Sequence, residues 1–191
     1  MNEIKRIISE SVAVKQRILD DDKLLQRIYA FKDMIVDAYR NGAKVLFCGN
    51  GGSAADAQHI AAELSGRFYI DRKPLYAEAL HCNSSYMTSV SNDYGFECVF
   101  SRAVEAFSNK GDILVGISTS GNSANVLKAC EKAREKGVSI VAMTGNNGGK
   151  MAQMSDLLIN VPSTDTPRIQ EAHIMIGHIV CELVEKELFG K

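Results

Sequence analysis

Apolar positions follow two regimes along the chain. In the first part they repeat at helical spacing: Ile4, Ile7, Ile8 and Val12, then Leu24, Leu25, Ile28, Phe31, Ile35 and Ala38. Recurrence at three and four residues predicts two amphipathic helices, each with one face to bury. Asp20, Asp21 and Asp22 separate them and offer an N-cap carboxylate to the second. Asn41 and Gly42 end it. From Lys44 the grammar changes to short continuous apolar runs: "KVLFC", "YAEAL", "DILVGI", "VSIVAM" and "LLINV". Helical segments lie between them: one running through Leu64, two around Met87 and Phe100, one from Ser123 to Lys136, and a long terminal one from Pro167. Strands that are apolar on both faces and alternate with helices predict an α/β fold with a parallel sheet covered on both sides. Ligands in such folds bind beyond the carboxyl ends of the strands. The chain divides into a helical extension, 1–42, and an α/β body, 43–191. The extension has no sheet of its own, so it is expected to pack on the body and offer surplus apolar surface to another subunit.

Three predicted strands end in polar, glycine-containing loops: "GNGGS" (49–53), "STSGNS" (118–123) and "TGNNGG" (144–149). The first two lead straight into helices. A helix N-terminus presents free N–H groups and partial positive charge, so it favours an anion. Glycines let the backbone close on a ligand. A helix cap needs one hydroxyl, which Ser123 supplies, so Ser118, Thr119 and Ser120 are surplus to it. Hydroxyl donors suit the many acceptor oxygens of a phosphate. No G-K-[ST] is present, and Ala54 breaks the G-x-G-x-x-G spacing, so nucleotide and dinucleotide loops are excluded. A phosphomonoester on a small metabolite fits better.

Candidates for chemistry lie on the helices. His59 and Glu63, four apart, sit about 40° apart on one helix face and about 6 Å apart along the axis. That spacing presents two metal ligands, or an acid/base pair, and is equally the spacing of a solvated ion pair. The helix starts at the first loop, which brings the pair toward the ligand. On the terminal helix Ile169, Ala172, Ile176, Val180 and Leu183 form the apolar stripe, and Gln170, Ile174 and His178 run along a neighbouring face. Gln170 and His178 are about 12 Å apart along the axis, so sharing one metal requires both to lean inward or two subunits to contribute. A core histidine with one hydrogen bond is the plainer reading of His178, and His173, nearer the stripe, reads as structural. Asn92 and Asp93 precede Gly95, as in an Asx turn between helices, and are also suited to holding sugar hydroxyls.

Charge and composition narrow the partners. The 191 residues carry a net charge of −1 and are 46% hydrophobic, enough for a large core and without the basic excess of a nucleic-acid binder. The N-terminus is charged and periodic, unlike a secretory signal, and no apolar run approaches the roughly 20 residues that span a bilayer. Cys48, Cys82, Cys98, Cys130 and Cys181 are odd in number and form no C-x-x-C, which fits free, buried thiols in a reducing cytoplasm.

Taken together, "CGNGGSAADAQHIAAELSGRF", "SNDYGF", "GDILVGISTSGNSANV", "TGNNGGKMA" and "TPRIQEAHIMIGHIV" resemble the sugar-isomerase (SIS) domain family, more narrowly its phosphoheptose isomerases. The resemblance implies a three-layer α/β/α sandwich with a five-stranded parallel sheet, a homotetramer, and active sites between subunits. It implies that Asn50, Gly51 and Gly52 hold the sugar and that Asn92 and Asp93 contact it. It places the phosphate on Ser53, Ser118, Thr119, Ser120 and Ser123, and zinc on His59, Glu63, Gln170 and His178, with Glu63 and Gln170 also touching substrate. Some relatives have an acidic residue where this chain has Pro167; that contact is not carried over. The implied reaction converts sedoheptulose 7-phosphate to D-glycero-D-manno-heptose 7-phosphate through an enediol, with Glu63 and His178 as the proton-moving pair. Two other readings stay open: a non-enzymatic branch of the family that binds the bacterial replication initiator, and an isomerase of another sugar phosphate. A pure binder does not need the four ligands and every loop hydroxyl together.

Overall fold

The computed structural model describes residues 1–190. Two helices come first, α1 (Asn2–Leu19) and α2 (Asp22–Arg40). The break between them is capped by Asp21, whose carboxylate accepts from the N–H groups of Lys23 and Leu24 at 3.0 Å each. The α/β body follows: β1 (Val45–Gly49), α3 (Gly52–Ser65), β2 (Ala77–Ala79), α4 (Ser84–Tyr94), α5 (Val99–Phe107), β3 (Ile113–Ser118), α6 (Ala124–Glu135), β4 (Ser139–Thr144), β5 (Leu157–Asn160) and α7 (Thr166–Phe189). Short 3-10 turns cover Phe96–Cys98 and Gly149–Gln153.

The strands form one five-stranded sheet in the order β2-β1-β3-β4-β5, every pairing parallel. Chain order reverses between β1 and β3, which opens a crevice at their carboxyl ends. Side chains alternate between two cores. Val45, Phe47, Val115, Ile117, Val141 and Met143 pack with α2, α3 and α7. Leu46, Cys48, Leu114, Ile140 and Ala142 pack with α4, α5 and α6. The result is the three-layer sandwich, with both sheet faces covered as the continuous apolar runs require.

The N-terminal helices belong to the first core, through Val14 and Ile18 of α1 and Leu24, Ile28, Phe31 and Ile35 of α2. The remaining face of α1 stays bare: Ile4, Ile8 and Val12 are 57–60% exposed. Three local readings are corrected. α7 begins at Thr166, one residue before the expected Pro167, with Asp165 at its cap position. Asn92 and Asp93 lie in the last turn of α4 rather than in a turn between helices, and Gly95, at φ +87°, ends that helix. Cys82 is exposed and Cys98 half-buried, so only three of the five thiols are buried.

α3 and α7 run side by side in the same layer. Their approach is set by two glycines. A Cβ on Gly52 would lie 2.5 Å from Nε2 of Gln170, and one on Gly177 would lie 2.5 Å from Cδ1 of Ile60. Ile60 is 2% exposed, so its side chain is enclosed by the core. Gly177→Ala should therefore destabilise the fold by about 1–3 kcal/mol, the usual cost of overpacking, despite the gain of about 1 kcal/mol in helix propensity. Equilibrium urea unfolding measures this, and an unchanged or raised stability would contradict the close contact.

His173 is fully buried on α7, with Nε2 3.1 Å from the Thr144 carbonyl and Nδ1 without a partner. Burial, opposed by the Thr144 hydrogen bond, lowers its pKa to about 4. The unfolded chain takes up this proton near pH 6.5 and the folded one only near pH 4. The stability linked to this residue is thus fully present above 6.5 and lost as pH falls through 4. Between pH 7 and pH 5 the fold should lose about 2 kcal/mol through this one group. His173→Leu should flatten that slope in urea titrations at the two pH values.

Candidate active site

Glycine-mediated contact between α3 and α7 brings His59, Glu63 and His178 together. His59 Nε2 stands 3.1 Å from Glu63 Oε1, and His178 Nε2 stands 3.2 Å from His59 Nε2. All three donor atoms lie within 4.8 Å of one another. The imidazole rings are tilted at 58° with centroids 5.0 Å apart. The pair that sequence spacing offered from one helix is completed by a residue 115 positions further on. The cluster is open to solvent, with the His59 side chain 49% exposed and that of Glu63 27%.

The donor set suits a metal ion. Tetrahedral bonds of about 2.1 Å put neighbouring ligand atoms about 3.4 Å apart, close to the two separations found here. His59 Nε2 faces both Glu63 Oε1 and His178 Nε2 but carries at most one proton, so a cation would satisfy the three atoms together better than a single N–H does. Two nitrogens and a carboxylate oxygen are also the ligand types zinc prefers in catalytic sites. Gln170 does not join them. Its amide packs on Gly52, two turns up α7, at the start of α3.

The second loop is a hydroxyl cluster. Ser118 is buried, and its Oγ lies 2.9 Å from Ser123 Oγ and 3.4 Å from Ser120 Oγ. Ser123 occupies the cap position of α6, yet its side chain makes no capping hydrogen bond. The capping role expected for that hydroxyl is thus replaced by a bond to Ser118, and the first turn of α6 keeps donors for a ligand. Thr119 and Ser120 border a polar cavity of 290 Å³ that Asn146, Ser163 and Thr166 also line. Gly121, at φ +64°, lets this loop lie against Gly148, where a Cβ would collide with backbone. The Asn122 side chain accepts from the Lys150 N–H at 3.0 Å and ties the third loop to the second.

The first and second loops are joined by a reciprocal amide pair. Asn50 Nδ2 donates to Asn125 Oδ1 at 2.8 Å, and Asn125 Nδ2 donates back to Asn50 Oδ1 at 2.9 Å. Asn125 is buried, and sequence reasoning missed it. The available signal was an asparagine in a helix's first turn, where its side chain competes with the helix unless it has a task. Ser53, buried in the first turn of α3, donates its N–H to the Asn50 carbonyl at 3.0 Å. Asn92 and Asp93 are exposed and bond each other at 2.9 Å; among the described residues no hydrogen bond links them to the loops. A cavity of 340 Å³ between the Gly49–Gly51 backbone and α4 is lined instead by His81, Ser84 and Thr88. A cavity of 670 Å³ opens at the amino ends of the strands around Lys44 and Asp112 and borders none of the candidate residues.

Residues 7–145 match the SIS domain family. The chain is 56% identical over 186 residues to the phosphoheptose isomerase of Mycobacterium tuberculosis, covering 97% of this chain and 95% of that protein. It is 52% identical over 190 residues to the phosphoheptose isomerase of Clostridium acetobutylicum, covering 100% of this chain and 97% of that one. Among solved structures, the phosphoheptose isomerase of Neisseria gonorrhoeae superposes with a TM-score of 0.91 at 42% identity, over 97% of this chain and 98% of that one. Fold, motif order and near-full-length identity agree, and the chain belongs to the SIS domain family, in its phosphoheptose isomerase branch.

Proposed function

We propose that the protein is an aldose–ketose isomerase that converts sedoheptulose 7-phosphate to D-glycero-D-manno-heptose 7-phosphate, the first step toward nucleotide-activated heptose for surface glycans. The observation that carries the reading is the His59–Glu63–His178 cluster, held beside two phosphate-suited loops in a chain of this kinship. Ser53, Ser118, Thr119, Ser120 and Ser123 take the phosphate oxygens. Asn50, Gly51, Gly52, Asn92, Asp93 and Gln170 hold the sugar hydroxyls. Binding the remote phosphate supplies energy to position C1 and C2 against the reacting groups.

In the forward direction Glu63 removes a proton from C1 while His178 protonates the carbonyl oxygen on C2, which leaves an enediol. Glu63 then returns the proton to C2, and His178 takes the O1 proton as the C1 carbonyl forms, which restores both groups. His59, Glu63 and His178 would hold zinc. Gln170 would be a fourth ligand only from a position other than the one it takes against Gly52, or from another subunit. Bound there, the ion would polarise the carbonyl oxygen and fix the three side chains. The site of action is the cytoplasm; no helix among the described residues is long and apolar enough to cross a membrane.

Purified protein supplied with zinc should convert sedoheptulose 7-phosphate and incorporate solvent deuterium at C1 and C2 in D₂O, read by NMR. Glu63→Gln should stay folded and lose about 100-fold or more in turnover. Retained turnover removes Glu63 from the base role, and no exchange in the unaltered protein sinks the enzymatic reading.

The working form is a homotetramer. The bare stripe of α1 and a groove of 470 Å³ lined by Leu19, Leu25, Tyr29, Met175, Ile179 and Leu183 support burial against other copies. Light scattering after gel filtration should give four times the 20.9 kDa chain mass, and a monomer at micromolar concentration contradicts this.

A further inference from the structure

We infer that the buried Arg72–Glu185 pair is the positioning device of the His59–Glu63–His178 cluster, fixing the end of α3 that carries Glu63 to the part of α7 that carries His178. The inference rests on the isomerase reading of that cluster. Glu185 lies seven residues after His178 on α7, and its side chain and that of Arg72 are each 2% exposed. Glu185 Oε1 accepts from the N–H groups of Tyr69 and Ile70 at 2.6 Å each. Its Oε2 accepts from the Phe68 N–H and from Arg72 Nε, both at 2.9 Å. Burial pushes this carboxyl's pKa up, but the three N–H groups and the guanidinium outweigh it and hold the pKa below its ordinary value. The group is therefore an anion with both oxygens saturated.

Apart from a contact with the adjacent Lys73 carbonyl at 3.2 Å, Arg72 directs its other donors at the carboxyl end of α3. Nη2 reaches the carbonyl of Glu63 itself at 3.0 Å, and Nη1 reaches those of Leu64 at 2.8 Å and Gly66 at 3.1 Å. These acceptors lack helical partners and sit at the negative end of the helix dipole, where a cation is favoured. The other half of the device acts on His178. The Phe68 whose N–H is held by Glu185 lays its ring against the His178 imidazole, with centroids 5.9 Å apart. One ion pair thus holds the backbone of Glu63 and the aromatic wall of His178.

A structural role alone explains the pair less well. α3 already ends on Gly66, and a desolvated ion pair is costly and stabilises little by itself. It stands where three side chains must keep separations of 3.1–3.2 Å. Neither Arg72 nor Glu185 has a surface with which to meet substrate.

The test uses Arg72→Lys in the full-length protein. Lysine keeps the charge beside Glu185 but is a single point donor that cannot span the carbonyls a guanidinium fork reaches. Circular dichroism and thermal unfolding establish folding, competition with a chromophoric chelator gives zinc affinity, and turnover gives kcat and KM. A folded variant should lose about 10- to 100-fold in zinc affinity, as supporting residues of metal ligands do, and a similar factor in kcat. KM should change by less than about threefold, since four of the five phosphate hydroxyls stand on the loop between β3 and α6, and Ser53 lies at the opposite end of α3 from the carbonyls that Arg72 holds. Phe68→Leu leaves the ion pair intact and removes only the wall of His178; it should lower zinc affinity by a smaller factor. Reduced thermal stability with unchanged zinc affinity and kcat overturns the inference. If Arg72→Lys does not fold, unchanged zinc affinity in Phe68→Leu overturns it. An active, zinc-binding unaltered protein beside such variants leaves the isomerase reading standing. An unaltered protein that neither binds zinc nor isomerises overturns both.

Discussion

Gly177 of α7 receives the side chain of Ile60 from α3, and the geometry of the candidate site depends on that contact. The two helices lie on the same sheet face and run in the same direction, because each leaves the carboxyl end of a parallel strand. Residues paired across them therefore keep a nearly constant offset. Gly52 meets Gln170 at one end, Ile60 meets Gly177 in the middle, and His59 meets His178 beside it. A side chain at either glycine would push the helices apart, and histidine nitrogens 3.2 Å apart tolerate little displacement before they stop serving one ligand. The apolar contact and the polar cluster are thus one structural fact seen on two adjacent faces of the helices.

Much of this was legible in the sequence, and what was not has physical reasons. The parallel sheet could be read because its strands are apolar on both faces, a pattern with few alternative explanations. The hydroxyl loop could be read because a cap explains only one of its hydroxyls. His59 and Glu63 share a helix, so their proximity is local geometry. His178 could not be joined to them by spacing, since only the approach of α3 and α7 does so, and that approach leaves no mark beyond a glycine. Arg72 and Glu185 were invisible for the same reason. In sequence Glu185 is one more charge on a terminal helix, and only the fold turns it inward onto the N–H groups of residues 68–70. Ser123 shows the reverse error: its position is that of a cap, but the neighbouring Ser118 competes for its hydroxyl and wins.

The division of labour follows from where the chain puts rigid and flexible groups. Phosphate-suited hydroxyls sit on strand-end loops stitched together by Asn50–Asn125 and by Asn122 on Lys150. The proposed reacting groups sit on helices, where an error in one rotamer is not amplified by loop motion. Helices alone leave the cluster open on its outer side, with the His59 side chain 49% exposed. Proton transfer at carbon proceeds best where water is excluded and charges are unscreened. The next residue along α7, Ile179, is 37% exposed and lines the apolar groove with Leu19 and Tyr29. A second copy seated in that groove would arrive one residue from His178. Adjacent residues of a helix point about 100° apart, so that copy would flank the cluster without filling it, and the open side of His59 would still have to be covered by another element.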